Sequence, residues 1–110
     1  MKKILTVAFS VSMVRDREVS IKEVREEEFL TLLGEDFVSA VGHQTTADIL
    51  SRRWNKTILF ARQNISCTDN LICVAVPQIR FDEAREFTEE EIKEAPFRFF
   101  VVKEKKGGER

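Results

Sequence analysis

Short apolar runs of strand length alternate with capped, helix-length segments along this chain, and that interleaving constrains its fold more than any other feature. Ile4 to Ala8 reads as a buried strand, and Val19, Ile21 and Val24, set among polar residues, as a second. Glu26 to Leu33 puts Phe29, Leu30 and Leu33 on one helical face before Gly34 stops it. A second helix runs to about Trp54, with Ala47, Leu50 and Trp54 at i, i+3 and i+7. Thr88 and Glu91 form a capping-box pair opening a third helix through about Ala95, where Pro96 ends it. Phe97 to Val102, aromatic and β-branched, is the last strand. The pattern predicts a single α/β domain over residues 1–104, a mixed and roughly five-stranded sheet flanked by helices, with 105–110 as a solvated tail.

Some expectations are more local. A short helical turn is expected near Ser10 to Val14, and Asn55 to Ala61 fits either a strand or a packed loop. Arg62 to Cys67 and Leu71 to Val76 read as a hairpin around Thr68-Asp69-Asn70, with Pro77 ending its second arm. Cys67 and Cys73 flank that turn. Two small buried side chains is the favoured reading, and a cross-strand bridge is the alternative.

With 43% hydrophobic and 34% charged residues, the chain has the composition of a globular protein. Its formal net charge of −1 supplies no broad field for duplex DNA, so a nucleic-acid ligand would need a local basic pocket. Lys2 and Lys3 before an apolar run have the ingredients of a signal peptide. No small-residue cleavage site follows, however, and Arg15-Asp16-Arg17-Glu18 comes next. The run is also too short to span a bilayer. A buried strand, a cytoplasmic protein and no membrane partner are therefore expected.

Polar chemistry concentrates between Val38 and Leu50, which holds the only histidine, His43. Gly42 breaks an apolar run there and is expected to let the backbone turn tightly; Thr45 and Asp48 fit a capping box for the helix that follows. Backbone amides at such a helix start form a natural seat for phosphate. Beside that seat stands a residue type that exchanges protons near neutral pH. Arg62, Arg80 and Glu83 are placed near strand ends, and arginine grips phosphate with paired hydrogen bonds. Plain structural readings exist for each: a capping or surface histidine, and a surface salt bridge between Arg80 and Glu83. Glu26-Glu27-Glu28 and Glu89-Glu90-Glu91 read as first-turn helix acids without the partners of a metal site. Phe97, Phe99 and Phe100 read as packing residues, not a base-stacking platform, because only Arg98 interleaves them. There is no Gly-rich phosphate loop, serine elbow or CxxC motif.

Taken together, Ala8-Phe9-Ser10, Ser39-Ala40-Val41-Gly42-His43-Gln44, and Arg80-x-x-Glu83 before a capped helix and a Phe-rich strand resemble the viral ring nucleases. These are small anti-CRISPR proteins of archaeal viruses, with bacterial and phage relatives, and the resemblance spans about Lys3 to Glu104. It implies a homodimer that holds a cyclic oligoadenylate, chiefly cyclic tetra-adenylate, across the subunit interface. It implies cleavage without metal or cofactor, in which the substrate's 2′-hydroxyl attacks the neighbouring phosphorus and leaves 2′,3′-cyclic phosphate ends. His43 matches the general acid, Arg80 the group that steadies phosphate charge, and Glu83 a positioning carboxylate. Substrate binding falls to Ser10, to Gly42, Gln44 and Thr45 at the helix start, and to Arg62, which matches when the hairpin is taken one residue shorter. Val7 stands where relatives usually carry asparagine, Ile79 where glutamine is frequent, and Ala84 where a glycine often follows the glutamate. The alternatives are a module that binds a cyclic oligonucleotide or nucleic acid without cutting it, and a protein-interaction or transcription-associated factor of viral origin.

Overall fold

A computed structural model describes residues 2–10, 18–67 and 70–105. In chain order the elements are β1 (Lys2–Thr6), β2 (Val19–Val24), α1 (Glu26–Leu33), β3 (Val38–Ser39), α2 (Gln44–Trp54), β4 (Asn70–Pro77), α3 (Glu89–Glu94) and β5 (Phe97–Glu104). The expected mixed five-stranded α/β sheet is present, in the order β2-β5-β4-β1-β3. Strands β3, β1 and β4 run parallel, while β5 lies antiparallel to both β4 and β2. The helical turn expected near Ser10 to Val14 falls outside the described residues, apart from Ser10 itself.

Register decides which side chains share a face. Leu5 pairs with Cys73, Cys73 with Val101 and Ala75 with Phe99, and this face carries the helices. Phe29 and Leu33 of α1 and Ala47 and Leu50 of α2 are fully buried against it. Burying a ring such as Phe29 is worth about 2–3 kcal/mol. Phe29 also meets Phe99 at a centroid distance of 5.0 Å and Trp54 at 5.9 Å. The opposite face, built on Ile4, Ile72, Val74 and Val102, packs with Phe9, Ile65 and Cys67.

Polar links lock the helices together. Arg53, near the end of α2, donates to both carboxylate oxygens of Glu26, at 2.7 and 2.9 Å, and to the carbonyls of Ile92 and Ala95 at the end of α3. Carbonyls that a helix end would leave unpaired are thereby satisfied. Trp54 Nε1 donates to the same Glu26 at 2.7 Å. The third helix starts where its sequence predicts: the Thr88 hydroxyl accepts from the Glu91 amide and the Glu91 carboxylate from the Thr88 amide.

One local expectation is corrected, and one left open between two readings is decided. Residues 62–67 form no strand, so the hairpin with Leu71–Val76 does not exist. Both edges of β4 are occupied, by β1 and β5, and its apolar run is buried between them. Long-range pairing thus overrides a plausible local turn. The segment Asn55–Ala61 is a packed loop with one bridge, Phe60 to Val41. It opens with Asn55 in the left-handed region at φ 51°. Ser51 Oγ then accepts from the Ile58 amide, Ser39 Oγ donates to the Leu59 carbonyl, and the Ala61 amide donates to Val41. Arg62 is delivered in this way to the end of β3.

The cysteines are free, fully buried and on opposite faces of the sheet, as the favoured reading held. Burial pushes the Cys73 thiol up to about 11, with nearby Lys3 opposing; burial and Glu104 push up that of Cys67. Among the described residues, no helix is long and apolar enough to cross a membrane.

Candidate active site

Beyond the carboxyl ends of the parallel strands β3 and β4 lies a cleft of about 820 Å3. Open α/β sheets characteristically present ligand sites there. Three separate stretches of chain converge on it. The turn after β3 and the first turn of α2 bring His43, Thr45 and Thr46; the loop after α2 brings Arg62; the segment after β4 brings Pro77, Ile79, Arg80, Phe81, Asp82 and Glu83. Sequence separations of about twenty residues between these stretches close only in the folded chain.

His43 is the N-cap of α2, extended at φ −131° and ψ 120°, with an exposed side chain that caps nothing. The expected Thr45–Asp48 capping box does not form. The helix begins two residues earlier, at Gln44, and Asp48 instead accepts from Gln44 Nε2 at 2.9 Å. The helix start opens on the cleft without a side-chain cap, so the partial positive charge of its amides is available to an anion.

Gly42 acts differently from the expected tight turn. Only Gly34 among the described glycines has a positive φ, 65°. At Gly42 the backbone meets Arg62, whose Nε donates to its carbonyl at 3.2 Å; an added Cβ would sit 3.4 Å from Arg62 Cγ, an ordinary contact, so the arginine stem lies alongside this turn without requiring glycine there.

Charge pairing separates the cleft arginines from others nearby. Arg52, Arg53, Arg85 and Arg98 each hold a carboxylate. Arg62 and Arg80 hold none among the described residues, and the salt bridge considered between Arg80 and Glu83 is not made. Asp82 is occupied locally, accepting from the Ala84 amide at 2.9 Å. Two guanidinium groups without a carboxylate partner, an uncapped helix start and an exposed imidazole therefore share one cavity. Such a set can bind a phosphate, spread its negative charge and supply a proton.

Of the residues singled out from sequence, His43, Thr45, Arg62, Arg80 and Glu83 line the cleft, and Gly42 underlies Arg62. Gln44 turns to Asp48, and Ser10 is exposed and does not line the cavity. Sequence reasoning missed Thr46, Ile79 and Phe81. The aromatic between Arg80 and Glu83 was the signal available. Val7, at the position where the ring nucleases usually carry asparagine, is buried in the core. Among the described residues no three histidine, cysteine or acidic side chains cluster as a metal site would require.

Residues 4–99 match the family model described as STIV B116-like. The chain belongs to the STIV B116-like family. Its structure is similar to that of B116 of Sulfolobus turreted icosahedral virus, with a TM-score of 0.79 over 94% of this chain and 99% of that one. Sequence identity is 22%, so the likeness is one of fold. No curated protein matches the chain. The resemblance to small proteins of archaeal viruses thus holds at the level of family and fold, and the cleft lies largely within the span that defines the STIV B116-like family.

Proposed function

We propose that this protein is a metal-independent ring nuclease, of viral origin, that cleaves cyclic oligoadenylate, most suitably cyclic tetra-adenylate, and so lowers the messenger of type III CRISPR defence. One observation supports the reading above the others: His43, Arg62, Arg80 and Glu83 reach one 820 Å3 cleft, and neither arginine is neutralised. A substrate carrying its own nucleophile asks little more of a protein than alignment, a proton and charge stabilisation. The ribose 2′-hydroxyl attacks the adjacent phosphorus in line, and its proton passes to water. His43 protonates the departing 5′-oxygen as the P–O5′ bond breaks. Arg80 and the α2 amides take up the charge that grows on the phosphoryl oxygens, Arg62 holds the phosphate, and Glu83 orients the ribose. The apolar side chain of Ile79 suits the base.

A ring with two-fold symmetry is matched by two copies of the chain, each presenting one cleft to opposite phosphates. In that arrangement the working unit is a homodimer, and light scattering should give about twice the 12.8 kDa chain mass. A monomer both free and with ligand would remove the shared site.

Incubation with cyclic tetra-adenylate in excess chelator is the direct test, and linear adenylates with 2′,3′-cyclic phosphate ends are expected. Ligand recovered intact after long reaction at high enzyme concentration would end the nuclease reading. A tight uncleaved complex would assign the cleft to a binding module.

A further inference from the structure

Apart from its two phenylalanines, the segment that carries Arg80 and Glu83 is exposed throughout. Between Gln78 and Glu90 only Phe81 and Phe87 are not exposed. The segment has no regular secondary structure before Glu89, and neither the Arg80 nor the Glu83 side chain is held by a hydrogen bond or ion pair. Local links are the Gln78 amide donating to the Pro96 carbonyl at 2.9 Å and the turn around Asp82. What joins the segment to the core is aromatic. Phe87 meets Phe81 edge-on at 5.7 Å, Phe81 meets Phe97 at 5.8 Å, Phe97 stacks on Phe99 at 6.1 Å, and Phe99 lies 5.0 Å from the buried Phe29. Cations clamp two of these rings: Arg85 lies over Phe87 at 5.0 Å and pairs with Glu91, and Arg53 lies over Phe97 at 5.3 Å. Arg52 donates to the Phe87 carbonyl at 3.2 Å, tying the far end to α2, the helix that begins at His43.

We infer that Phe81 is a positioning residue: its ring, between Phe87 and Phe97 in an aromatic ladder running to Phe29, is the anchor that fixes Arg80 and Glu83 over the cleft. The inference rests on the phosphodiesterase reading for its effect on turnover, but its structural half does not. An arginine that stabilises charge must already be in place when the charge develops. Arg80 precedes the anchored ring by one residue and Glu83 follows it by two, so both are carried by the same fixed stretch of backbone. A polar tie would serve less well, because a cation or carboxylate spent on holding the loop is lost to the ligand.

Two measurements test this in the full-length protein. Backbone amide relaxation should show residues 79–84 as ordered as the strands in wild type and in Phe81→Tyr, and more mobile in Phe81→Ala. Order unchanged in Phe81→Ala would overturn the inference whatever the activity. With cyclic tetra-adenylate as substrate, Phe81→Ala should lower kcat about 10- to 100-fold, and Phe81→Tyr should restore it to within about threefold. The loss should disappear in an Arg80→Ala/Glu83→Gln background, because a residue acting through others is silent once those others are gone. An equal loss in both backgrounds would overturn the inference by assigning Phe81 a merely structural or independent role. Should Phe81→Ala not fold, Phe81→Leu carries the same comparisons. Wild type that orders this segment but leaves the ring intact would sink the phosphodiesterase reading while supporting the anchor.

Discussion

His43 is the residue on which the proposed chemistry turns. It stands exposed at the start of α2 in the cavity shared with both unpaired arginines, although the only histidine of a chain has several plainer uses. Replacing it with alanine removes the proton donor and leaves the phosphate-holding groups. His43→Ala should therefore lose about 100-fold or more in kcat while binding cyclic tetra-adenylate within a few-fold of wild type. Undiminished turnover, measured in single-turnover assays, would take His43 out of the mechanism. Glu26 makes a second prediction of a different kind. Hydrogen bonds from Arg53, and secondarily Trp54, hold its carboxyl below the ordinary 4.5 against the opposing effect of burial. A carboxyl depressed on folding contributes stability that is complete above its unfolded value and is lost as pH falls through the lower folded one. Glu26→Gln should therefore destabilise the protein by about 1–2 kcal/mol at pH 7 and flatten the fall in stability below pH 4.5. Urea unfolding at a series of pH values checks both, and parallel pH profiles for the two proteins would contradict them.

At the scale of elements, the helices were the most legible part of the chain. Glu26–Leu33 with Gly34 after it and Thr88 with Glu91 are signals that act within a few residues, and both appear where they were expected. The start of α2 was harder, because two readings of one helix end competed. A Thr45–Asp48 capping box was available locally, yet the chain leaves β3 extended through His43, and the helix begins at Gln44. That two-residue difference leaves the cleft-facing amides uncapped. The value of Phe81 was not legible, since it depends on Phe97, sixteen positions away and unrecognisable as its neighbour before β4 and β5 pair.

For the molecule as a whole, the sheet acts as a partition. A bridge between Cys67 and Cys73 across a hairpin was the less favoured reading; in the fold β4 is sandwiched between β1 and β5, and the two thiols face opposite cores. With both buried and the Cys73 thiol pushed up to about 11, neither is poised to react. Thiol titration without reductant should find two free groups per chain after unfolding in guanidinium and only slow reaction in the native protein at pH 8. A bridge, seen as missing thiols, would contradict the partition. The sequence by itself determined the fold class, the positions of the helices and the first and last strands, and the identity of the charged residues worth watching. It could do so because caps, breakers and periodicity are local physics. Strand pairing, the side of the sheet on which each cysteine lies, and the meeting of His43, Arg62 and Arg80 were decided by the tertiary structure alone. Those depend on which apolar strands bury one another, a competition among distant segments that no local signal records.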